Sequence, residues 1–227
     1  MLPTLFIHTT EQDKLSIAAK EMKSTLFALF LLCALTSYLP SATAGDVVDT
    51  DGNPVENGGT YFVLPTIILN GGGIEYATFG NETCPVTVAQ SRDQFCKGFP
   101  ITISSPARIR HISEGLSLNI GFTFASPCSP ASEWTIVKDQ PEGLAVKLTG
   151  FKNTVPGVFT LKRVPADEII GYNILFCPLD NNPCGYVAVH FDQFRNRRLV
   201  VSEVQEDGLW VMFQKLSYAS GLTLSSA

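Results

Sequence analysis

The sequence predicts an all-β protein: short strand-like runs recur along it, turn-forming residues separate them, and no amphipathic helical pattern stands out. The runs are rich in Val, Ile, Thr, Tyr and Phe. Between them lie turn-forming clusters such as NGGG (70–73), PEG (141–143) and NNPCG (181–185). Twelve strands are expected, at residues 60–64, 74–79, 86–90, 101–104, 117–122, 134–137, 144–148, 158–163, 172–176, 186–191, 198–202 and 209–216.

An internal repeat organises these strands. The tetrads YFVL, SLNI and YNIL begin at Tyr61, Ser117 and Tyr172, which gives spacings of 56 and 55 residues. Twelve strands in three pseudo-repeats of four predict a threefold barrel with hairpin caps, the β-trefoil. A two-sheet sandwich or a jelly roll is the alternative that composition leaves open.

The N-terminal residues have the pattern of a secretory signal peptide. Lys23 lies in a short charged region, residues 25–35 are apolar, and Ala42-Thr43-Ala44 is a small-x-small cleavage pattern. The apolar run is shorter than a membrane span requires. We therefore expect an upstream extension at 1–21, a signal peptide at 22–44 and one domain at 45–227; an anchored or internal N-terminus is the alternative.

The net charge and its distribution exclude some classes of function but do not indicate one. The net charge is −5, and it stays −5 after removal of residues 1–44, which hold equal numbers of acidic and basic side chains. The one basic cluster, at Arg195, Arg197 and Arg198, is too small for nucleic-acid binding and is expected to be a solvated turn. No paired Cys or His residues stand at metal-ligand spacing, so neither a metal nor a cofactor is expected.

The cysteine count is odd once the signal segment is removed. Five remain, and a secreted chain favours disulfides among them. Cys177 and Cys184 flank the turn-forming run PLDNNP, which favours a short bridge. A bridge between Cys84 and Cys128 would enclose Arg108, and Cys96 is then the free thiol, but this second pairing stays open on the residues alone. Asn81-Glu82-Thr83 is an N-glycosylation sequon.

One segment has the features of a protease substrate. Residues 104–115 read SSPARIRHISEG, with Arg108 and Arg110 flanking Ile109 shortly after Pro106. Proline fixes its own φ and keeps the preceding residue extended. An extended arginine followed by an apolar residue is the kind of bond that a trypsin-like protease cleaves.

Several motifs together resemble the Kunitz-type soybean trypsin inhibitor family of plant seeds and leaves. They are DGNPVENGGTYFVL (51–64), GNETCPVTVAQSR (80–92), KGFPITISSPARIRHISEG (97–115), LKRV (161–164), YNILFCP (172–178), RRLVVS (197–202) and VMFQKL (211–216). The resemblance covers most of residues 46–220. It implies a β-trefoil, in agreement with the strand count and the repeat.

The resemblance also implies the functional residues. The reactive bond falls on Arg108–Ile109, and a loop-supporting asparagine falls on Asn57. The two disulfides fall on Cys84–Cys128 and Cys177–Cys184. The remaining residues of the inhibitory loop are Ser104, Ser105, Pro106, Ala107, Arg110 and His111.

The implied function is a secreted inhibitor, extracellular or vacuolar, that acts on trypsin-like serine proteases in plant defence. We expect a monomer with no nucleic-acid or membrane partner. An enzyme is disfavoured, because no GxSxG motif accompanies His190 and Asp192. The alternative is a non-inhibitory storage, stress or ligand-binding protein on the same fold, and fold alone does not decide between the two.

Overall fold

The structure is a computed structural model that describes residue 23 and residues 25–31, 44–67, 70–127, 129, 131–148, 152–165, 170–180 and 182–217. The chain divides into two compact units, Met1–Thr43 and Ala44–Ala227. In the first unit, residues 23 and 25–31 are helical. None of the described helical segments is both long and apolar enough to cross a membrane.

The described part of the second unit contains thirteen strands and a 3-10 helix, Gln205–Asp207. The strands are β1 Gly59–Pro65, β2 Ile74–Ala77, β3 Thr87–Gln90, β4 Ile101–Ser104, β5 Asn119–Phe122, β6 Trp134–Gln140, β7 Gly143–Leu148, β8 Thr154–Val155, β9 Gly157–Arg163, β10 Tyr172–Pro178, β11 Gly185–Phe191, β12 Arg197–Ser202 and β13 Trp210–Lys215.

All twelve expected strands are present. The additional strand is β8, whose two residues pair with Ile136 and Val137 of β6. Two residues are too few to show an alternating pattern, so this strand has no sequence signal.

Six strands close into a barrel in the order β1, β4, β5, β9, β10, β13. Strand β1 pairs with β4 and β13, and β10 pairs with β9 and β13, all antiparallel. Strand β4 pairs with β5, and the Leu118–Phe159 bridge beside β5 joins it to β9. Closure leaves none of these six strands with a free edge.

Three hairpins, β2–β3, β6–β7 and β11–β12, cap one end of the barrel. Strands β3, β7 and β12 also pair with one another, through Arg198–Ala89, Val200–Ala145 and Thr87–Lys147. A six-stranded barrel with three mutually contacting hairpins is the β-trefoil, so the predicted fold is confirmed and the sandwich alternative is wrong.

The barrel interior is apolar and aromatic. Tyr61 and Tyr172 are fully buried and both contact the ring of Phe213. In a separate group of rings, Trp134 packs between Phe122 and Phe159. Side chains from all three repeats therefore share one core.

The basic cluster is not a solvated turn throughout, contrary to expectation. Arg195 is exposed at φ 60°, but the side chain of Arg198 is 14% exposed and pairs with Glu142 at 3.0 Å and Asp192 at 3.2 Å. Arg197 donates to Gln90 at 2.7 Å. Both arginines lie at the start of β12, where their side chains contact residues of the β2–β3 and β6–β7 hairpins.

Candidate functional site

The segment with substrate-like features lies at the barrel end opposite the hairpin caps. Strand β1 begins at Gly59 beside Ile103 of β4, and it ends at Pro65, from which the chain enters the caps. Because β4 is antiparallel to β1, its last residue, Ser104, lies at the uncapped end. The loop at 105–110 therefore projects away from the cap hairpins.

The centre of this loop is open to solvent. Pro106, Ala107, Arg108 and Arg110 are exposed, and Ile109 is 37% exposed. Within the described part of the chain, neither arginine forms an ion pair. Both guanidinium groups are therefore available to an external partner.

One side chain spans the loop from beneath. The Asn57 Nδ2 group donates to the carbonyl oxygens of Ser105, Ala107 and Ile109, each at 3.2 Å. Its Oδ1 atom accepts the Ser105 amide at 2.7 Å. Asn57 thus contacts backbone on both sides of the Arg108–Ile109 peptide bond, and only an amide side chain supplies the donors and the acceptor together.

The backbone around Asn57 fixes the direction of this side chain. The Asn57 amide donates to Arg110 O at 2.9 Å, and the Gly58 amide donates to Ile103 O at 2.8 Å. Gly58 has φ +81°, a conformation that glycine adopts at low cost. These bonds attach the asparagine to both flanks of the loop.

A small ladder of backbone segments supports the end of the loop; we call residues 46–48, 54–57 and 110–113 the base layer. Glu56 pairs with His111, Ile112 N donates to Val55 O, and Val47 N donates to Ile112 O. The side chains of Val47, Val55 and Ile112 are fully buried. The base layer therefore packs onto the core while it carries both Asn57 and the residues that follow Ile109.

Short local bonds shape the loop itself. The Ala107 amide donates to the Ser105 hydroxyl at 3.3 Å, and the Ile109 amide donates to Ala107 O at 2.9 Å. The backbone on either side of Arg108 is thus constrained before any partner binds.

The predicted cysteines and the sequon are not part of the loop at 105–110. Cys177 and Cys184 form a disulfide between β10 and β11. Cys84 is disulfide-bonded, whereas its expected partner, Cys128, lies outside the described residues. Cys96 is the free cysteine of the described part of the chain, and Asn81 is exposed.

The residue inside the sequon has a structural partner. Glu82 forms an ion pair with Lys147, accepts from Thr87 at 2.5 Å and accepts the Phe79 amide at 3.0 Å. Burial opposes ionisation of Glu82, but these hydrogen bonds outweigh it and lower the pKa of the carboxyl below its ordinary 4.5.

A hydrolytic arrangement at His190 is not assembled. His190 is exposed, and the Asp192 carboxylate is engaged by Phe194, Asn196 and Arg198. In the described part of the chain, no group of three His, Cys, Asp or Glu side chains is placed to hold a metal ion.

Sequence reasoning missed one contact beneath the loop. The Tyr61 hydroxyl accepts the Glu56 amide at 2.8 Å. Burial raises the pKa of Tyr61, so the hydroxyl is neutral at neutral pH. The tyrosine of the NGGTY motif was the available signal, but its partner is a backbone group that no side-chain pattern marks.

Comparison with known proteins places the chain in a family. Residues 47–215 match the legume Kunitz family, described as trypsin and protease inhibitor. Trypsin inhibitor A of Glycine max is 48% identical over 207 residues, which cover 88% of this chain and 94% of that protein.

Solved structures agree. The soybean trypsin inhibitor crystallised in complex with porcine pancreatic trypsin is 46% identical, with a TM-score of 0.69 over 76% of this chain and 99% of that chain. Winged bean albumin 1 is 31% identical, with a TM-score of 0.65 over 76% of this chain and 99% of its own. With the trefoil and the loop already described, these matches show that the chain belongs to the legume Kunitz family of trypsin and protease inhibitors.

Proposed function

We propose that this chain is a secreted inhibitor of trypsin-like serine proteases and that its reactive bond is Arg108–Ile109. The observation that carries the proposal is the set of four hydrogen bonds between the Asn57 side chain, which donates three and accepts one, and the backbone around that bond. The trypsin-inhibitor names of its relatives and the complex of one of them with trypsin support the same partner class.

Arg108 is the residue that recognises the protease. Its exposed guanidinium would enter the specificity pocket and form a bidentate pair with a carboxylate there. The Arg108 carbonyl carbon would then lie against the catalytic serine, with its oxygen in the oxyanion hole. Arg110 and His111 follow the bond and would contact the protease surface.

The loop resists cleavage because both sides of the bond are held. Asn57 contacts Ala107 O before Arg108 and Ile109 O after it. Once the protease serine is acylated by Arg108, the new Ile109 amine would remain beside the ester carbonyl. Its attack would re-form the peptide bond and release the serine, in competition with hydrolysis of the ester. Order before binding also lowers the entropic cost of association.

The other predicted residues act away from the bond. A Cys84–Cys128 bridge would enclose the loop within one covalent ring, and Cys177–Cys184 stabilises the β10–β11 connection. The signal segment at 22–44 would direct the 45–227 domain to the secretory pathway, with an extracellular or vacuolar destination. Exposed Asn81 would then be accessible to glycosylation.

A titration of trypsin with the oxidised 45–227 protein tests the proposal. Stoichiometric inhibition is expected, and Arg108→Ala should abolish it because the pocket loses its guanidinium. Arg195→Ala is the matched control, since Arg195 is equally exposed but lies in the β11–β12 turn at the capped end.

The outcomes separate the alternatives. Undiminished inhibition by Arg108→Ala would assign the activity to another loop. Failure of the unsubstituted protein to inhibit trypsin would favour a storage, stress or ligand-binding role on the same fold.

A further inference from the structure

Two buried tyrosines hold equivalent positions in two of the three repeats. Tyr61 of β1 lies opposite Lys215 of β13 and Ile101 of β4. Tyr172 of β10 lies opposite Arg163 of β9 and Val211 of β13. Each tyrosine is therefore on the first strand of its repeat, between the last strand of the preceding repeat and the last strand of its own.

The two rings anchor in one aromatic cluster. Tyr61 and Tyr172 are both fully buried, and both contact Phe213, with ring centroids 6.4 and 5.8 Å apart respectively. Phe213 also accepts the Thr50 amide through its carbonyl at 2.8 Å. The cluster thus lies directly beneath the segment that precedes Asn57.

Both hydroxyl groups reach the base layer. The Tyr61 hydroxyl accepts the Glu56 amide at 2.8 Å, and the Tyr172 hydroxyl accepts the Val48 amide at 2.9 Å. Glu56 precedes Asn57 in the chain and pairs with His111. One hydroxyl therefore holds the segment that carries Asn57, and the other holds the N-terminal segment that pairs with it.

The space around Tyr61 is closely filled. A Cβ atom on Gly59 would lie 2.7 Å from Tyr61 Cε2 and 3.0 Å from its hydroxyl. The Gly59 amide donates to Glu56 O at 3.0 Å, which closes the turn over the ring. The second glycine of the NGG motif is thus required by the tyrosine beneath it.

The remaining repeat differs at this position. The equivalent residue is Leu118, one position after the start of the tetrad at Ser117, because Leu118 bridges Phe159 of β9, the last strand of its repeat. Leucine has no hydroxyl group, and the chain that leads to it contains the loop. A tyrosine brace is therefore present in the first and third repeats and not in the second repeat, into which the loop leads.

We propose that Tyr61 and Tyr172 are positioning residues, whose hydroxyl groups fix the base layer on the barrel and thereby hold Asn57 and the inhibitory loop in the orientation that inhibits. This inference rests on the proposed function for its effect on inhibition, but not for its effect on the base layer. Replacement by phenylalanine keeps the packed ring and removes the acceptor, so that one base-layer amide loses its partner.

The experiment compares Tyr61→Phe, Tyr172→Phe and the double variant with Tyr186→Phe. Tyr186 is a matched control because its hydroxyl also makes a hydrogen bond, to Gln205 Oε1 at 3.0 Å, but on β11 of the cap. Four quantities are measured: the amide exchange rates of Val48, Glu56 and Asn57 without protease, the inhibition constant for trypsin, the rate of cleavage at Arg108–Ile109, and the thermal midpoint.

We expect exchange at Glu56 and Asn57 to accelerate about tenfold in Tyr61→Phe, and exchange at Val48 to do so in Tyr172→Phe. The inhibition constant and the cleavage rate should each rise about three- to tenfold at a temperature where the protein is fully folded. The inhibition constant and the cleavage rate should rise more in the double variant than in either single variant. Tyr186→Phe should change neither the inhibition constant nor the cleavage rate.

Two results would overturn the proposal. One is unchanged base-layer exchange in both tyrosine variants. The other is faster exchange with an unchanged inhibition constant and cleavage rate, which would leave the hydroxyls a purely structural role. If the unsubstituted protein does not inhibit trypsin, the proposed function fails, and the exchange rates still decide whether the hydroxyls hold the base layer.

Discussion

At the scale of single residues, Asn57 has the largest predicted effect on the loop after the reactive arginine. Its amide satisfies three carbonyl oxygens and one amide of the loop at once. Asn57→Ala should raise the inhibition constant for trypsin by about 10- to 100-fold, because the loop loses this network while Arg108 is retained. The inhibition constant and the rate of loop cleavage measure the effect.

Asn57→Asp distinguishes the donors from the acceptor. The carboxylate keeps an acceptor for the Ser105 amide, but it loses both protons that reach the three carbonyl groups and brings negative charge to them. It should therefore inhibit no better than Asn57→Ala. Asn153→Ala, which also removes a side-chain amide donor to a carbonyl, that of Lys138 in β6, is the control. Recovery of inhibition in Asn57→Asp would show that the three donated bonds do not matter.

At the scale of elements, the Cys177–Cys184 bridge belongs to the barrel-to-cap connection and not to the loop. It joins the end of β10 to the residue before β11. Cys177→Ser/Cys184→Ser should lower the free energy of unfolding by about 2.5 kcal/mol, as the chain-entropy model gives for so short a loop. Urea unfolding measures this loss.

Inhibition by the same double variant should be unchanged at 25 °C, because among the described residues no hydrogen bond of the loop involves Cys177 or Cys184. Cys96→Ser is the control for loss of a thiol without loss of a bridge. An inhibition constant raised by more than about tenfold in a fully folded bridge variant would contradict this separation.

A largely buried ion pair joins two of the cap hairpins. Lys147 of β7 is 3% exposed and Glu82, between β2 and β3, is 19% exposed. Because the folded pKa of Glu82 is lowered, its contribution to stability is complete above its unfolded value, near 4.5, and is lost as pH falls through the folded value. We expect the urea midpoint to decline below about pH 4.5 for this reason.

Glu82→Gln tests this assignment and keeps the sequon at Asn81. At pH 7 it should cost about 3 kcal/mol, because the buried Lys147 ammonium group loses the carboxylate of Glu82. The acid-dependent decline should become shallower than in the unsubstituted protein. Glu206→Gln, at an exposed carboxylate, is the control. An equally steep acid decline in Glu82→Gln would assign the pH dependence to other carboxyls.

At the scale of the whole molecule, the strands were predictable because each carries its own signal. Individual strands can be recognised from alternating apolar residues, such as Ile101 and Ile103 of β4, which are both buried in the structure. Glycine-containing turns then mark where one strand ends and the next begins. The 55-residue repeat then gave the trefoil, since the tetrads at Tyr61 and Tyr172 do occupy equivalent barrel positions. The substrate-like features of the Arg108 segment could be predicted for a similar reason, because the residues that carry them are consecutive in the sequence.

The features that could not be predicted from the sequence depend on residues that lie far apart along the chain. The base layer joins residues 46–48 to 54–57 and 110–113 by hydrogen bonds between backbone groups. Every residue type except proline carries the same backbone donor and acceptor, so the sequence does not mark these bonds. Arg198 resembled a solvated charge until Glu142 and Asp192 were placed beside it. The position of Asn57 followed from the family resemblance, whereas its four partners required the structure.

Barrel closure makes the last strand indispensable. Strand β13 pairs with both β1 and β10, and it carries Val211 and the Phe213 ring that contacts Tyr61 and Tyr172. A chain that ends after Gly208 should lack a cooperative thermal transition, because two barrel strands become free edges and the aromatic cluster at the loop end loses its centre. It should also be degraded by trypsin rather than inhibit it.

A chain that ends after Ser217 is the matched control, since β13 ends at Lys215 and the barrel is complete. It should retain the thermal midpoint of the 45–227 protein within about 2 °C and the same inhibition constant. Circular dichroism and trypsin titration measure both. A cooperative, inhibitory protein ending at Gly208 would show that the loop end of the barrel forms without its final strand, and the link from β13 through the tyrosines to Asn57 would then be wrong.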